Sequence, residues 1–274
     1  MPESRSGLTP EDAALLARLA PPAPTAYHRL NPLTKATLAA VLTVAAIGHG
    51  GYAIPALLLA TAVISAQAAG VLDRAARIAL LVSLPVLVSV VLVSVLTRAG
   101  ETVLVTLGPF DVTAEGVDFA ARISLRLLVA ALALTVFGLT TDARSLVADL
   151  ERRGISPRLT FAAAAALEAA PAMLERARTV VAAQRARGLD TEGSVGARLR
   201  GVRPLIGPVL LSAINEVDAR SLALEARAFG RSGPRHPLWA PADSPVQRLA
   251  RWAMVAAAVL LVVGRAAGPL AGIP

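Results

Sequence analysis

The sequence predicts an all-α integral membrane protein with about five transmembrane helices and long amphipathic helices on the cytoplasmic side. Three observations lead to this fold class. The 274 residues are 55% hydrophobic and only 17% charged, with a mean hydropathy of +0.62, whereas about a quarter of the residues in a soluble domain are charged. The apolar residues fall in long runs, as bilayer spans require. Most of the arginines lie between the fourth and fifth runs.

Five apolar stretches could cross a bilayer, since a helical span needs about 20 apolar residues at about 1.5 Å each. The last four satisfy this length. The first is short and must start near Lys35, whose amine can reach the interface, and glycines at 48, 50 and 51 should end it. The five stretches cover roughly residues 33–48, 53–70, 78–97, 117–140 and 246–267.

The arginines alternate between the two sides of the predicted membrane. The N-terminal segment and the loop after the second span are basic, the other short loops carry one arginine at most, and residues 141–245 contain fifteen. Because positive loops stay inside, the sequence predicts a multi-pass protein of the cytoplasmic membrane. Its predicted parts are a cytoplasmic N-terminal segment (1–32), transmembrane helices 1–4 (33–140), a cytoplasmic helical domain (141–245), and a last transmembrane helix with an external tail (246–274).

The composition disfavours several kinds of site. There is no cysteine, which excludes thiolate metal ligands and a cysteine nucleophile. The three histidines, His28, His49 and His236, are not paired at ligand spacing. The sequence also lacks the Gly-x4-Gly-Lys-Ser/Thr loop of common ATPases. We therefore expect no catalytic residue, no cofactor and no metal site in this chain.

Arg122 and Arg126 lie four residues apart in the first turns of the fourth span. This spacing places both side chains on one helical face. Snorkelling or an internal ion pair would explain them, and a role in a transport pathway is the alternative.

The cytoplasmic domain is predicted to contain three helices. The first is short and stops at Gly154. The second is long and alanine-rich, closes at Gly188, and should be kinked or divided by Pro171. After a polar loop at 189–202, the third helix has one apolar stripe and should end at Gly230.

Each long helix carries an arginine near its C-terminal end, Arg187 in "AAQRARGLD" and Arg227 in "LEARAFG". The negative end of the helix dipole stabilises a cation there by up to about 1 kcal/mol, which alone could explain both residues. The neighbouring alanines also make slim helix ends that can enter a groove on a partner. There the guanidinium can form a bidentate bond with a carboxylate, and two such ends imply two grooves.

With this arrangement the chain resembles the transmembrane T components of energy-coupling factor transporters, a family that includes the cobalt-transport permease subunits. The resemblance covers nearly all of the chain after residue 27. "HRLNPLTK" is similar to the family's entry to its first span, and "TTDARSLVADL" is similar to the segment after the fourth. The family's two Ala-Arg-Gly motifs match Ala186, Arg187 and Gly188, and then Ala226, Arg227 and Ala228.

The second copy departs from the motif, because Ala228 stands where the first copy has glycine. The second helix is therefore expected to end one or two residues later, at Gly230, which alters its contact geometry but not its salt bridge. One Ala-Arg-Gly tripeptide has no diagnostic value. Two copies at the ends of cytoplasmic helices, within this order of spans, are diagnostic.

The resemblance implies a non-catalytic coupling subunit of an ATP-driven vitamin or metal-ion importer. Two ATP-binding cassette ATPase subunits would each receive one arginine in a groove and pair it with an acid. The long helices would transmit ATPase closure to a small substrate-binding membrane subunit, the S component. This subunit would sit on their apolar, alanine-rich faces and determine which substrate is carried.

Two other classes of function compete with this interpretation. A membrane-bound acyl or phosphoryl transferase would need a His, Asp or Glu cluster at a membrane face, but Glu168 and Glu175 fit a solvated helical face, and Glu175 can pair with Arg178. A membrane-tethered nucleic-acid binder would suit the fifteen arginines. However, eleven acids are interleaved with them and aromatic residues for base stacking are scarce, so we expect no nucleic-acid partner.

Overall fold

The computed structural model describes residues 25–49, 51–98, 100–107, 110–188, 195–229 and 241–267. These residues form eight α-helices and one two-stranded hairpin. In chain order they are α1 (Pro32–Gly48), α2 (Ala53–Ala68), α3 (Leu72–Thr97), β1 (Val103–Leu107), β2 (Phe110–Thr113), α4 (Ala114–Thr140), α5 (Ala143–Arg152), α6 (Pro157–Ala186), α7 (Val195–Ala226) and α8 (Pro245–Ala267).

The chain divides into two compact units. We call Met1–Asp142 with Ala242–Pro274 the apolar unit, and Ala143–Pro241 the arginine-rich unit. Some predicted features lie outside the described residues: most of the N-terminal segment (1–24), part of the polar loop (189–194), Gly230 and the external tail (268–274).

The all-α membrane fold is confirmed for the described residues. Helices α3, α4 and α8 are long and apolar enough to cross a membrane, while α1 and α2 are apolar but have only 17 and 16 residues. The predicted second span is thus shorter than expected. It stops because Gly70 adopts φ +67° and the amide of Val71 bonds back to the carbonyl of Ala66 at 3.0 Å, a closure typical of helix C-termini.

Helix α3 begins earlier than the sequence suggested. It starts at Leu72, so Arg74 and Arg77 lie in its first turns and not in a loop. Asp73 occupies the first turn, where the helix dipole stabilises a carboxylate. The basic residues between the second and third spans are therefore helical.

The segment between α3 and α4 contains an antiparallel hairpin, β1 and β2, which the sequence analysis missed. Thr113 ends β2 and is the N-cap of α4. Its hydroxyl accepts a hydrogen bond from the amide of Gly116 at 3.2 Å and donates one to the carbonyl of Arg98 at 2.9 Å. This cap fixes the start of α4 beside the end of α3.

Small side chains dominate the core of the apolar unit. Helix α4 packs against α1, α2 and α3, and its Val129, Leu132 and Val136 are buried in one cluster with alanines of those helices. Small residues let helix backbones approach closely, which favours association inside a membrane. The buried alanines of α1, α2 and α3 in this cluster are Ala39, Ala46, Ala62, Ala66, Ala75 and Ala79.

Lys35 is buried rather than extended toward the interface, with only 4% of its surface exposed. Its ammonium donates hydrogen bonds to the carbonyls of Thr140 at 2.8 Å and His28 at 3.2 Å, and lies 5.6 Å from the ring centre of Tyr27. Thr140 is the last residue of α4, so Lys35 satisfies a carbonyl that a helix end leaves without an intrahelical partner. Lys35 therefore joins the start of α1 to the end of α4.

A second charged cluster joins α1 to α8. Arg251 donates two bonds of 2.9 Å to the carboxylate of Asp243 and one of 2.8 Å to the hydroxyl of Thr34. The side chains of Arg251 and Asp243 are only 10% and 4% exposed. The amide of Asn31 donates to Gln247 at 2.8 Å. The beginnings of α1 and α8 therefore lie side by side, and the two helices run in the same direction.

Arg122 forms an internal ion pair, one of the two explanations that the sequence allowed. Its guanidinium pairs with Asp118 one turn earlier and lies 5.5 Å from the ring centre of Tyr52. The hydroxyl of Tyr52 donates to the same carboxylate at 2.7 Å, and this bond raises the pKa of the phenol. These contacts account for Arg122 without a pathway role.

The pKa of His28 lies below its usual value, because burial disfavours the charged ring and Lys35 repels it. Its Nδ1 also accepts a bond from the amide of Thr25 at 3.3 Å, which requires that nitrogen to be unprotonated. A base with a lowered pKa binds fewer protons when folded, so stability is present above about pH 6.5 and is lost as the pH falls toward the folded-state pKa.

We therefore expect acidification from about pH 7.5 to about pH 5 to lower the Tm of the wild-type chain more than that of His28→Gln. A thermal unfolding series in detergent measures this difference. Equal losses of Tm in the two proteins would show that His28 does not contribute.

The arginine-rich unit consists of α5, α6 and α7. Helix α6 is one continuous helix of 30 residues, so Pro171 does not divide it. Helix α7 begins at Val195, so the second half of the loop expected at 189–202 is helical. Helix α5 stops before Gly154, which adopts φ +92°, as predicted.

Candidate functional site

The first tip (Ala186, Arg187 and Gly188) closes α6. Ala186 is the last helical residue, and the amide of Arg187 bonds to the carbonyl of Gln184 at 3.1 Å. Gly188 then adopts φ +86°, a left-handed conformation that glycine enters without steric cost. The chain turns away directly after the arginine, which leaves its side chain at the exposed end of the helix.

The second tip (Ala226, Arg227 and Ala228) closes α7 in the same way. Helix α7 ends at Ala226, and Ala228 adopts φ +53°. The amides of Ala228 and Phe229 bond to the carbonyls of Glu225 and Leu224, each at 2.9 Å, which is the Schellman pattern of a helix C-terminus. The expectation that this helix ends at Gly230 is therefore wrong. Ala228 takes the backbone position of the missing glycine.

An aromatic contact accompanies this unusual alanine. The ring of Phe229 packs on that of Phe161, near the start of α6, with ring centres 4.6 Å apart. Such pairs contribute about 0.5–1.5 kcal/mol beyond the burial of their area. This contribution is comparable to the cost of about 1–2 kcal/mol for a left-handed non-glycine residue, so Phe229 offsets the strain at Ala228.

Both guanidinium groups are presented to the outside of the arginine-rich unit. Arg187 and Arg227 are exposed, as are the neighbouring Ala182, Ala183 and Ala226. Within the described ranges, neither arginine makes a side-chain hydrogen bond or an ion pair. The negative end of each helix dipole stabilises its arginine. Neither arginine pairs with an acid within the described residues.

The two long helices are antiparallel. Phe161 near the start of α6 meets Phe229 just beyond the end of α7. Further along α6, the guanidinium of Arg176 bonds to the hydroxyl of Ser212 at 3.4 Å and pairs with Glu216. Glu216 also accepts from Arg220 at 3.2 Å. One acid between two arginines thus joins the helices, and we call these four polar residues the central contact.

The sequence analysis missed the central contact, although a signal for it existed. Arg176 precedes Arg187 by 11 residues, and Glu216 precedes Arg227 by 11 residues. The two partners therefore occupy equivalent positions of the repeat that carries the two tips. This equal spacing is visible in the sequence once the motif arginines are aligned.

The antiparallel arrangement places the two tips at opposite ends of the helix pair. The second tip lies beside Phe161, and Arg187 follows Phe161 by 26 residues. At 1.5 Å per residue this corresponds to about 39 Å along α6. The two arginines are therefore too far apart to enter one groove.

The backbone conformation of the tips gives a matched test. Gly188→Ala should destabilise the end of α6 by about 1 kcal/mol, and Ala228→Gly should stabilise the end of α7 by a similar amount. An added Cβ at Gly188 meets nothing within 4 Å, so only the backbone conformation is tested. Hydrogen exchange of the last helical turns measures both changes.

Gly207→Ala is the control for these variants, because Gly207 lies inside α7 and also has open space around its Cβ. Alanine is more stable than glycine inside a helix, so Gly207→Ala should stabilise α7 by about 0.5–1 kcal/mol, whereas Gly188→Ala should destabilise α6. Protection of the α6 end that is unchanged by Gly188→Ala would contradict the left-handed closure.

The competing site types gain no support from the described residues. Glu175 pairs with Arg178 at 3.3 Å on an exposed face, as the sequence suggested. In the same ranges, no group of three or more His, Asp or Glu residues is placed to hold a metal ion.

Residues 24–237, which include both tips, match the cobalt transport protein family (CbiQ). The chain belongs to the cobalt transport protein family. The resemblance inferred from the two motifs is thereby confirmed.

Individual relatives are consistent with this family. The chain is 37% identical over 153 residues to the energy-coupling factor transporter transmembrane protein EcfT of Heliobacterium modesticaldum, covering 52% of this chain and 57% of that protein. It is 29% identical over 223 residues to EcfT of Thermosediminibacter oceani, covering 76% and 82%. It is 33% identical over 229 residues to an ABC transporter ATP-binding protein of Bifidobacterium longum, covering 80% of this chain and 29% of that protein. The chain thus spans little more than half of the Heliobacterium relative and under a third of the Bifidobacterium one.

Proposed function

We propose that this chain is the transmembrane T component of an energy-coupling factor transporter, the non-catalytic coupling subunit of an ATP-driven vitamin or metal-ion importer. The observation that carries the proposal is the pair of exposed helix tips. Both close with a left-handed residue, and both present an arginine with no acid of its own among the described residues. The names of the EcfT relatives support the same assignment.

Each tip docks in a groove of one ATPase subunit. The exposed alanines around Arg187 and Arg227 keep the helix ends slim, and the guanidinium pairs with a carboxylate at the bottom of the groove through two parallel bonds. Breaking a desolvated pair of this kind costs about 2–5 kcal/mol. Because the tips lie more than about 30 Å apart, each one meets a different ATPase subunit.

The Bifidobacterium relative supports an ATPase partner. A protein named for ATP binding there carries, in 29% of its length, a segment similar to most of this chain. Linkage within one polypeptide is expected of parts that work together. These 274 residues contain no nucleotide-binding loop, so ATP is bound by the ATPase partners and not by these residues.

The long helices transmit ATPase closure to the substrate-binding membrane subunit. The central contact holds α6 and α7 together between the tips, so that a displacement of one tip also displaces the other helix. Exposed apolar residues on these helices form the seat of the S component, because such patches mark interaction surfaces. They include Leu167, Leu174, Leu210, Leu211, Ile214 and Val217. The arginine-rich unit and the N-terminus lie on the cytoplasmic side.

Co-expression with a pair of energy-coupling ATPases tests this function. The chain should co-purify with two ATPase subunits, and adding an S component should give ATP-dependent uptake in vesicles. A variant ATPase pair without its nucleotide-binding lysines should still bind but not transport. ATP hydrolysis by the purified chain alone, or failure to bind any ATPase while an S component binds, would contradict the proposal.

A further inference from the structure

An apolar cleft of about 420 Å³ lies between α1 and α8 in the apolar unit. Its lining consists of alanine and valine side chains, and several of the valines are exposed at its mouth. At its far end the two helices come together, because a Cβ added to Gly48 would meet Val262 at 3.2 Å. The cleft is therefore open along its side and closed at one end. The residues that line it include Ala40, Val41, Val44, Val255, Val259 and Val262.

We propose that this cleft binds one acyl chain of an anionic phospholipid whose phosphate pairs with Arg248. The inference is independent of ATPase docking and concerns a site that the proposed function does not use. The lipid belongs to the leaflet that borders the beginnings of α1 and α8.

The length of the cleft fits an acyl chain. From Val255 to Val263 the lining spans eight residues, or about 12 Å. This length is most of one leaflet of a hydrocarbon core about 30 Å thick.

The charge at the entrance fits a phosphate. Arg248 precedes Val255 by seven residues, two helical turns, so it lies on the same face of α8 as the cleft. Its side chain is 62% exposed, and it stands 4.0 Å from Asp243, whose two carboxylate oxygens are already held at 2.9 Å by Arg251. One acid thus serves two arginines, and the entrance keeps a net positive charge.

Trp252 marks the depth of this entrance. It lies one turn after Arg248 on the same face and is exposed. Exposed tryptophans on membrane helices lie at the level of the lipid headgroups. The order along the helix face is therefore cation, interfacial ring and apolar cleft, which is the order of a phospholipid from phosphate to acyl chain.

The test measures binding of phosphatidylglycerol and phosphatidylcholine to the purified full-length chain by native mass spectrometry. The wild type should retain phosphatidylglycerol preferentially. Ala40→Trp fills the cleft from an exposed position and should abolish this retention. Ala257→Trp is the matched control, because Ala257 is exposed on the opposite side of α8 and lines no part of the cleft. It should retain lipid as the wild type does.

Arg248→Gln tests the headgroup. A single surface cation contributes about 1 kcal/mol to binding of anionic lipid, so the preference for phosphatidylglycerol should fall about fivefold. Val44→Trp, at a second exposed lining position, replaces Ala40→Trp if that variant does not fold. Equal retention by the cleft-filling and control variants would overturn the proposal. So would loss of a co-purifying membrane protein, with lipid retained, in the cleft-filling variant alone.

Discussion

Reversing both tip arginines, as Arg187→Glu with Arg227→Glu, is expected to abolish co-purification of the ATPase subunits while the chain stays folded. Each reversed tip would place a carboxylate against the acid that receives the guanidinium in the proposed complex. Loss of one such pair costs about 2–5 kcal/mol, so each single reversal should weaken binding about thirtyfold or more. Both arginines are exposed, so folding should not suffer. Affinity capture followed by size-exclusion chromatography measures the effect.

The matched control is Arg74→Glu with Arg178→Glu. Arg178 is exposed nine residues before Arg187, Arg74 is exposed at the start of α3 in the apolar unit, and the double change alters the net charge by the same amount. The control should bring down the ATPases as the wild type does. If both double variants lose the ATPases, net charge rather than tip docking explains binding. If the tip variant keeps them, docking through the arginines is wrong.

Removing the acid of the buried pair, as Asp243→Ala, is expected to cause a large loss of stability. Arg251 is nearly fully buried and both of its terminal nitrogens bond to Asp243. Removing one member of a buried ion pair leaves an unpaired charge and costs about 3–5 kcal/mol. The beginnings of α1 and α8 should separate, because Arg251 also holds Thr34 of α1. Thermal unfolding in detergent measures the loss as a lower Tm.

Two further variants make this result specific. Glu101→Ala removes an exposed carboxylate in the loop before β1 and should change stability little. Asp243→Ala with Arg251→Met removes both charges and should recover much of the loss, since apolar replacements of buried pairs are often neutral. A Tm for Asp243→Ala equal to that of Glu101→Ala would show that the pair does not stabilise the fold.

The sequence predicts the fold class and the order of the spans well, because bilayer crossing depends on apolar length and on where arginines accumulate. The ends of individual helices are predicted less well. Helix α2 stops at Ala68 before the left-handed Gly70, and α3 starts at Leu72 with an acidic first turn. Hydropathy averaged over many residues does not detect such local signals. The hairpin is missed because β1, "VLVTL", has no clear alternation of apolar and polar residues.

The site is predicted in its residues but not in its geometry. The motif arginines are visible as a 40-residue repeat. The end of α7 cannot be predicted in this way. Alanine rarely adopts a positive φ, so the nearest glycine, Gly230, is the expected C-terminal residue. The residue after Ala228, Phe229, packs on the ring of Phe161, which lies 68 residues before Phe229 in the chain. Contacts this distant in sequence, like the pairing of Arg176 with Glu216, follow only from the folded arrangement of the two helices.

The equal spacing of the central contact from the two tips has a mechanical consequence. Eleven residues separate Glu216 from Arg227, and eleven separate Arg176 from Arg187, so both lever arms are about 16 Å long. In the proposed complex, forces of equal size on the two tips would therefore produce equal torques about the central contact, and the two ATPase subunits would contribute equally to the movement. Inserting one helical turn into a single arm would break this balance without altering either arginine.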